Sequence, residues 1–406
     1  MSKDVRDGIG ARVASFRKLA GYTQSEFAEY ANISLGGIRK VERGERLPTH
    51  GWLAAAARVL QVTVEDLTGQ PYRGQEPADE RVHAPIAAIR AVARSYDIPP
   101  DWATRPRPLS EIARDVQRAA HYRAGAHYTK LGQVLPALLE ELTAAVHHHT
   151  GKPKREAARL LSSAYYMAHS LTYRLGYPDL AAQLDDRLRW AADLSGDPLT
   201  VALAQWSRAG GFQTAREYGK GLRLLADARD ELDDVGLVSP AAVTLMGSLR
   251  LREATLASRA RDEAATQEHF EAAALLADRV PDGADRVHYH LTFGPTNVAV
   301  HDVAAQVELR RPEEAAKKAR LLHIPPALPR TRAGHHHIDA ARAFLAAGDR
   351  DDALASLQQA RQVAPQQTRY HPMARETARL LAKEYRTVTN DVRSLLHWMT
   401  SAPLSS

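Results

Sequence analysis

Residues 23–62 read TQSEFAEYANISLGGIRKVERGERLPTHGWLAAAARVLQV. Thr23 with Glu26 three residues on is a capping box, and it opens a short helix, Gln24 to Ala31, that buries Phe27 and Ala28. Asn32 and Ile33 make a tight turn, since Asn tolerates the left-handed backbone. Ser34 caps a second short helix, which buries Ile38 and Val41 and stops at Gly44. After Pro48 comes a helix from Trp52 to Leu60, with Leu53, Ala56 and Leu60 inward; Val64 and Leu67 close the core. Upstream, Ile9, Val13, Phe16 and Leu19 recur at helical spacing, one apolar face ending at Gly21. Two short helices joined by a turn of roughly three or four residues have the helix-turn-helix spacing.

Working outward, the chain has 406 residues, enough for two or three domains at roughly 100–200 residues each. Apolar residues recur at i, i+3, i+4, i+7 nearly everywhere, which predicts an all-α chain. The polar, turn-rich stretch Thr68 to Asp79 reads as a linker, and Ile98 to Leu109, with four prolines, as a break between helices. The expected organisation is a helix-turn-helix domain over 1–70, a linker over 71–80 and a helical-repeat domain over 81–406. With no cysteine, disulfides, iron–sulfur clusters and thiolate zinc sites are excluded. No apolar run reaches the 18 or so residues of a spanning helix. Lys3, Asp4, Arg6 and Asp7 stand where a signal peptide would need its apolar core. A cytoplasmic protein without membrane contact is the expectation. The net charge of +6, with 44 Arg against 10 Lys, is too small to argue for nucleic acid by itself.

The set Thr23–Gln24, Phe27–Ala28, Ser34, Ile38, Val41–Glu42, Gly44, Pro48 and Leu60-x-Val62 before Leu67 resembles the Xre/Cro-type repressor family over about 60 residues. The resemblance implies a five-helix domain that reads a double-stranded DNA operator. It implies that Gln24, heading the first helix of the motif, touches a phosphate or base, with Thr23 beside it. Ser34, Leu35, Gly36 and Gly37 would form the first turn of a recognition helix that enters the major groove by its N-terminal end. Lys40 lies on the same side, flanked by Arg39 and Arg43, and Arg12 and Arg17 would clamp the backbone. The sequence departs from the family at Gly36–Gly37: two base-reading side chains are missing, and each glycine costs a helix about 1 kcal/mol relative to Ala. Close approach of the backbone to DNA and a frayed helix start both fit that pair. So few base readers imply weak binding by one module, hence a homodimer on two half-sites.

Internal repetition follows downstream. In residues 334–367, Ala341, Phe344, Gly348, Ala353, Leu357, Ala360 and Pro365 fall at the tetratricopeptide offsets. Weaker copies place small or turn residues at Gly176 with Ala181, Gly221 with Leu225, Arg261 with Thr266, and Arg310 with Ala315. The anchors 181, 221, 266, 315 and 353 are irregularly spaced, so the repeats are degenerate. This predicts a tetratricopeptide-like α-superhelix with a concave face. The whole resembles actinobacterial regulators and, in architecture, the peptide-sensing regulators of Gram-positive bacteria. That implies a small-molecule, peptide or protein effector, with secondary metabolism or development as the controlled process. Candidate effector residues are Asn297, His301 and Glu308, within about 40° of one another on one predicted helix, and the aromatic group Tyr166, His169, Tyr173 and Trp206. First helices of the repeats should line the groove, with Asn297 and His301 facing inward.

Two triple-histidine runs, His147–His149 and His335–His337, are expected at helix ends. Adjacent histidines project about 100° apart on a helix, so neither run can converge on one metal. No metal, no cofactor and no catalytic signature are expected. The predicted function is a sequence-specific DNA-binding regulator with a ligand-responsive repeat domain. The rival is an interaction scaffold or antitoxin-like partner protein for which DNA contact is secondary.

Overall fold

The computed structural model describes residues 8–72, 81–99, 105–384 and 390–400. Most of the expected linker and part of the Ile98 to Leu109 break lie outside the described residues.

Among the described residues five helices precede residue 70: α1 (Ile9–Leu19), α2 (Gln24–Ala31), α3 (Leu35–Glu42), α4 (His50–Leu60) and α5 (Val64–Thr68). Four of them start on a hydroxyl that accepts an otherwise unpaired backbone N–H: Thr23, Ser34, Thr49 and Thr63. Each such cap contributes about 1 kcal/mol. Thr23–Glu26 and Thr63–Asp66 are complete capping boxes. Left-handed Asn32, Gln61 and Gly69 end α2, α4 and α5. The core is Ile9, Val13, Phe27, Ile38, Val41, Trp52, Leu53, Leu60 and Leu67, all buried.

After α6 (Ile86–Arg94) the chain runs in helical hairpins: α7 (Leu109–Ala124) with α8 (Tyr128–His148), α9 (Gly151–Arg174) with α10 (Pro178–Ser195), α11 (Pro198–Thr214) with α12 (Tyr218–Val235), α13 (Pro240–Ala260) with α14 (Glu263–Ala277), α15 (Pro295–Glu308) with α16 (Pro312–Leu321), and α17 (Arg330–Ala347) with α18 (Arg350–Val363). A residue of positive φ turns each hairpin: Ala126, Gly176, Arg216, Arg261, Arg310 and Gly348. Four of these six are not glycine, and each then costs roughly 1–2 kcal/mol; the packing of the hairpins holds them there. The anchors Ala181, Gly221, Thr266, Ala315 and Ala353 all lie buried on the second helix of a hairpin. Their smallness has a geometric cause: a Cβ on Gly221 would stand 2.9 Å from Leu256 Cδ1 and 3.2 Å from Phe212 Cβ. Small side chains here let paired helices close up, and the result is a tetratricopeptide-like α-superhelix. It ends in α19 (Pro365–Tyr370), α20 (Pro372–Glu384) and α21 (Asn390–Thr400).

Two expectations are corrected. Between α14 and α15 the chain forms a short antiparallel hairpin, β1 (Arg286–His288) and β2 (Leu291–Phe293), in register Val287 to Thr292. Three-residue strands are too short to show a period of two in sequence. The second histidine run is also not at a helix end: His335–His337 lies inside α17, with His336 buried.

The N-terminal module rests on the superhelix. Its apolar core is continuous with Ile338, Phe344, Met373, Leu381 and Leu395 of the last helices, and α4 packs on α11 and α13.

Candidate nucleic-acid interface

Helix α3 is fixed from behind by Ile38 and Val41. Glu42, its last residue, accepts from Arg17 Nε (2.6 Å) and Nη2 (3.0 Å) and from Gln24 Nε2 (2.8 Å), tying α1, α2 and α3 together. Arg17 also donates to the Tyr22 carbonyl at 2.7 Å. Arg17 is therefore buried in a brace and is not a backbone clamp; a charge this close to a matching carboxylate is held rather than offered. Gln24 and Thr23 are likewise engaged, the first by Glu42 and the second by its own capping box. Gly37 is buried, its N–H on the Ser34 hydroxyl at 3.2 Å. Arg12 is half-buried with its guanidinium against Gly69.

What α3 turns outward is Ser34, Gly36, Arg39, Lys40 and, one residue past its end, Arg43, with Leu35 half-exposed. Nothing lies within 4 Å of where a Gly36 Cβ would be. The backbone at the helix start is thus open at Gly36, beside Arg39 and Lys40, neither of which is in an ion pair among the described residues. Arg43 is partly neutralised by Glu45 at 2.7 Å.

The rear of the module is locked at a seam. Buried Glu308 accepts from His50 N (3.3 Å), His50 Nδ1 (3.0 Å), Gly51 N (3.3 Å) and Arg342 Nη2 (3.0 Å). A carboxylate at the first turn of α4 also meets the positive end of that helix's dipole. Burial alone would push the Glu308 carboxyl up; the hydrogen bond from His50, with His50, Arg342 and Arg259 nearby, overrides it and holds the group well below the usual carboxylate range. Burial and Arg259 push His50 down, against Glu308. Ile9 N donates to Glu376, and Lys383 Nζ to the Arg43 carbonyl. Val41 and Trp52 face Val307, Leu345 and Leu380 across a cavity of about 380 Å³. Glu308, expected in an effector groove, is a docking residue.

Of the other groove candidates, the structure brings four together. Tyr166 and Trp206 lie with ring centroids 6.3 Å apart. Arg252 covers the Trp206 face at 3.7 Å, and its charge reaches Tyr173 and His301. Asn297 is buried: its amide donates one N–H to the Thr292 carbonyl at 2.7 Å and accepts from Arg332 Nε at 2.9 Å. It orients an arginine with one donor and one lone pair already used. His169 pairs with Asp185 of α10 at 3.0 Å while its ring stacks on Tyr173 with centroids 6.1 Å apart. Burial would lower its pKa, and Asp185 turns the shift upward. The sequence reading missed the arginines among these aromatics, which carry no local motif. Among the described residues no group of three or more His, Asp or Glu is placed to hold a metal ion, and no helix is long and apolar enough to cross a membrane.

Residues 13–67 match the helix-turn-helix family HTH_3. The uncharacterized HTH-type transcriptional regulator YazB of Bacillus subtilis (strain 168) is 43% identical over 58 residues, 14% of this chain and 84% of that protein. The cryptic phage CTXphi transcriptional repressor RstR of Vibrio cholerae is 37% identical over 62 residues, 15% of this chain and 55% of that one. Among solved structures, Bacillus thuringiensis PlcR in complex with the peptide PapR7 and DNA aligns over 67% of this chain and 95% of that chain, at 14% identity and a TM-score of 0.28.

Proposed function

The chain belongs to the helix-turn-helix (HTH_3) family of transcriptional regulators, and from that premise we propose that it is a cytoplasmic, sequence-specific regulator that binds a double-stranded operator as a homodimer and answers to an effector held inside its repeat domain. The observation that carries the DNA half is the outward strip of α3: exposed Ser34 and Gly36 with Arg39 and Lys40 beside them. A helix start without side chains lets backbone N–H groups come within hydrogen-bond reach of phosphate, and the two cations supply phosphate and guanine contacts. A helix braced through Glu42 and Ile38 presents them at fixed spacing. The superhelix holds the module from behind, so its state sets how two modules sit on two half-sites.

The test is a gel shift with genomic fragments followed by titration on the retained site. Arg39→Ala with Lys40→Ala is expected to cost about 2–6 kcal/mol for two base-reading contacts, with helicity by circular dichroism unchanged. Unchanged affinity at moderate salt, or no retained fragment for the wild-type protein, overturns the assignment.

A further inference from the structure

First helices of four hairpins send five arginines toward one another in the interior of the superhelix: Arg123 from α7, Arg174 from α9, Arg252 and Arg259 from α13, and Arg332 from α17. The proximities form a chain. Arg123 stands over the Tyr166 ring at 5.4 Å and donates to the His290 carbonyl at 2.7 Å. Tyr166 neighbours Trp206, and Trp206 carries Arg252 on its face. Arg252 lies within the electrostatic reach of Arg259 and Arg332, and Arg332 within that of Arg174.

None of the five is in an ion pair among the described residues, in contrast to their neighbours. On the same α13, Arg250 pairs with Glu253, and on α17 Arg342 pairs with Glu308 and Asp339. Of the carboxylates around Arg332, Asp339 is paired with Arg342, and Asp285 accepts from the N–H groups of Thr296 and Asn297 through Oδ1, leaving its Oδ2 as the one oxygen without a partner among the described residues there. Arg123 is 8% exposed and its Nε–H has no acceptor; the Nε–H groups of Arg252 and Arg259 are buried and unpaired as well. The other four arginines are half-buried; a cation taken out of water without counter-charge costs several kcal/mol when buried, and less where solvent still reaches it. Burial, with the neighbouring guanidiniums, draws Arg252 and Arg332 down to about 10, and pushes His301 and His335 well below 6.5, so the histidines relieve the excess by staying neutral.

We propose that this interior is a binding site for a small, multiply charged anion, its phosphate or carboxylate oxygens bridged by Arg123, Arg174, Arg252 and Arg332. Guanidinium forks match either group bidentately, and like charges gathered from separate helices are stabilised by one shared counter-charge. The proposal rests on the reading that the repeat domain holds an effector, and it names that effector's chemistry.

The test is calorimetric titration of the full chain with sodium pyrophosphate and, separately, citrate, at fixed ionic strength. Saturable binding of at least one probe is expected, with a rise in unfolding temperature. Pyrophosphate alone would mark a phosphate-bearing ligand, and citrate alone a polycarboxylate. Arg252→Gln and Arg332→Gln should each weaken it roughly tenfold or more. Arg252→Lys, which keeps the charge and loses the fork, guards against misfolding. Exposed Arg189→Gln should change nothing. No saturable binding of either probe, or equal affinity in the Arg252 and Arg332 variants, overturns the site. Operator binding is measured in parallel without anion. A chain that binds DNA and neither probe loses this site alone, and one that binds a probe and no DNA loses the regulator reading alone.

Discussion

Glu308→Ala attacks the seam at the point where most of its polar contacts meet. The carboxylate is 5% exposed and accepts four hydrogen bonds, three from the first turn of α4 and one from Arg342, itself 2% exposed. Removing one partner of a buried ion pair leaves the other uncompensated, at about 3–5 kcal/mol. Here the orphan is Arg342, left with Asp339 alone. The two backbone donors of α4 lose their acceptor too, but they overlap in space with that term and are not added to it. Against a typical total of about 5–15 kcal/mol, the loss is large. Urea unfolding followed by tryptophan fluorescence measures it, since Trp52 lies buried in α4 near the seam. The variant should lose about 3–5 kcal/mol, or unfold in two steps as the module detaches first. The double variant Glu308→Leu with Arg342→Met removes both members of the buried pair and leaves only Asp339 without its arginine, so it should recover part of the loss. A loss below about 1 kcal/mol in Glu308→Ala, with one unchanged transition, would refute the claim that this carboxylate locks the module.

Stability should also fall in mild acid. Burial pushes His290 down to about 3 and His336 to about 4, and His301, His335 and His371 well below their ordinary 6.5. The unfolded chain then binds more protons than the folded one between pH 6.5 and about 4, so stability declines as pH drops through that window, by up to about 1.4 kcal/mol per pH unit per histidine. The half-buried ones contribute less, through solvent screening; urea midpoints that agree at pH 7.5 and 5.5 would contradict this. Gly221→Val should cost about 1–3 kcal/mol by overpacking against Leu256 and Phe212, and an unfolding temperature at or above wild type would show that the hairpin does not need its close approach.

Legibility in the sequence tracked the range of the physics. The capping box at Thr23, the left-handed Asn32 and the small anchors at 181, 221, 266, 315 and 353 act within one or two helical turns, and their signal is local. Arg17 went astray because an exposed phosphate clamp and a buried brace use the same residue type. Only the position of Glu42, 25 residues on, separates them. Asn297 and Glu308 were placed on one helix edge by their angular spacing, and they do share α15. Eleven residues apart, though, they lie about 16 Å apart along the axis, one against Arg332 and the other against α4. Helical angle without axial position cannot tell one site from two. The arginines of the interior were invisible for a related reason. They come from four hairpins over some 200 residues, and only the curvature of the superhelix gathers them.

That axial arrangement connects the interior to the DNA-binding module. Three first helices carry an interior residue toward one end and a seam residue further along: Arg252 and then Arg259 on α13, Asn297 and then Glu308 on α15, Arg332 and then Arg342 on α17. Gly51 of α4 sits so close to the Arg259 carbonyl that a Cβ there would lie 2.9 Å away. At 1.5 Å per residue the paired positions are about 10–17 Å apart, a distance a rigid helix spans without relay. On the proposed site, closing the arginines on an anion would move α7, α9, α13 and α17 relative to one another; α4 packs on α13 and is held by Glu308 of α15, which Arg342 of α17 holds in turn. A ligand shifts DNA affinity only if it binds two such arrangements unequally, with a usual coupling of about 1–3 kcal/mol. The seam must be stiff for the interior to be felt at α3, which is why a buried carboxylate and an arginine stand where an apolar contact would have held as well.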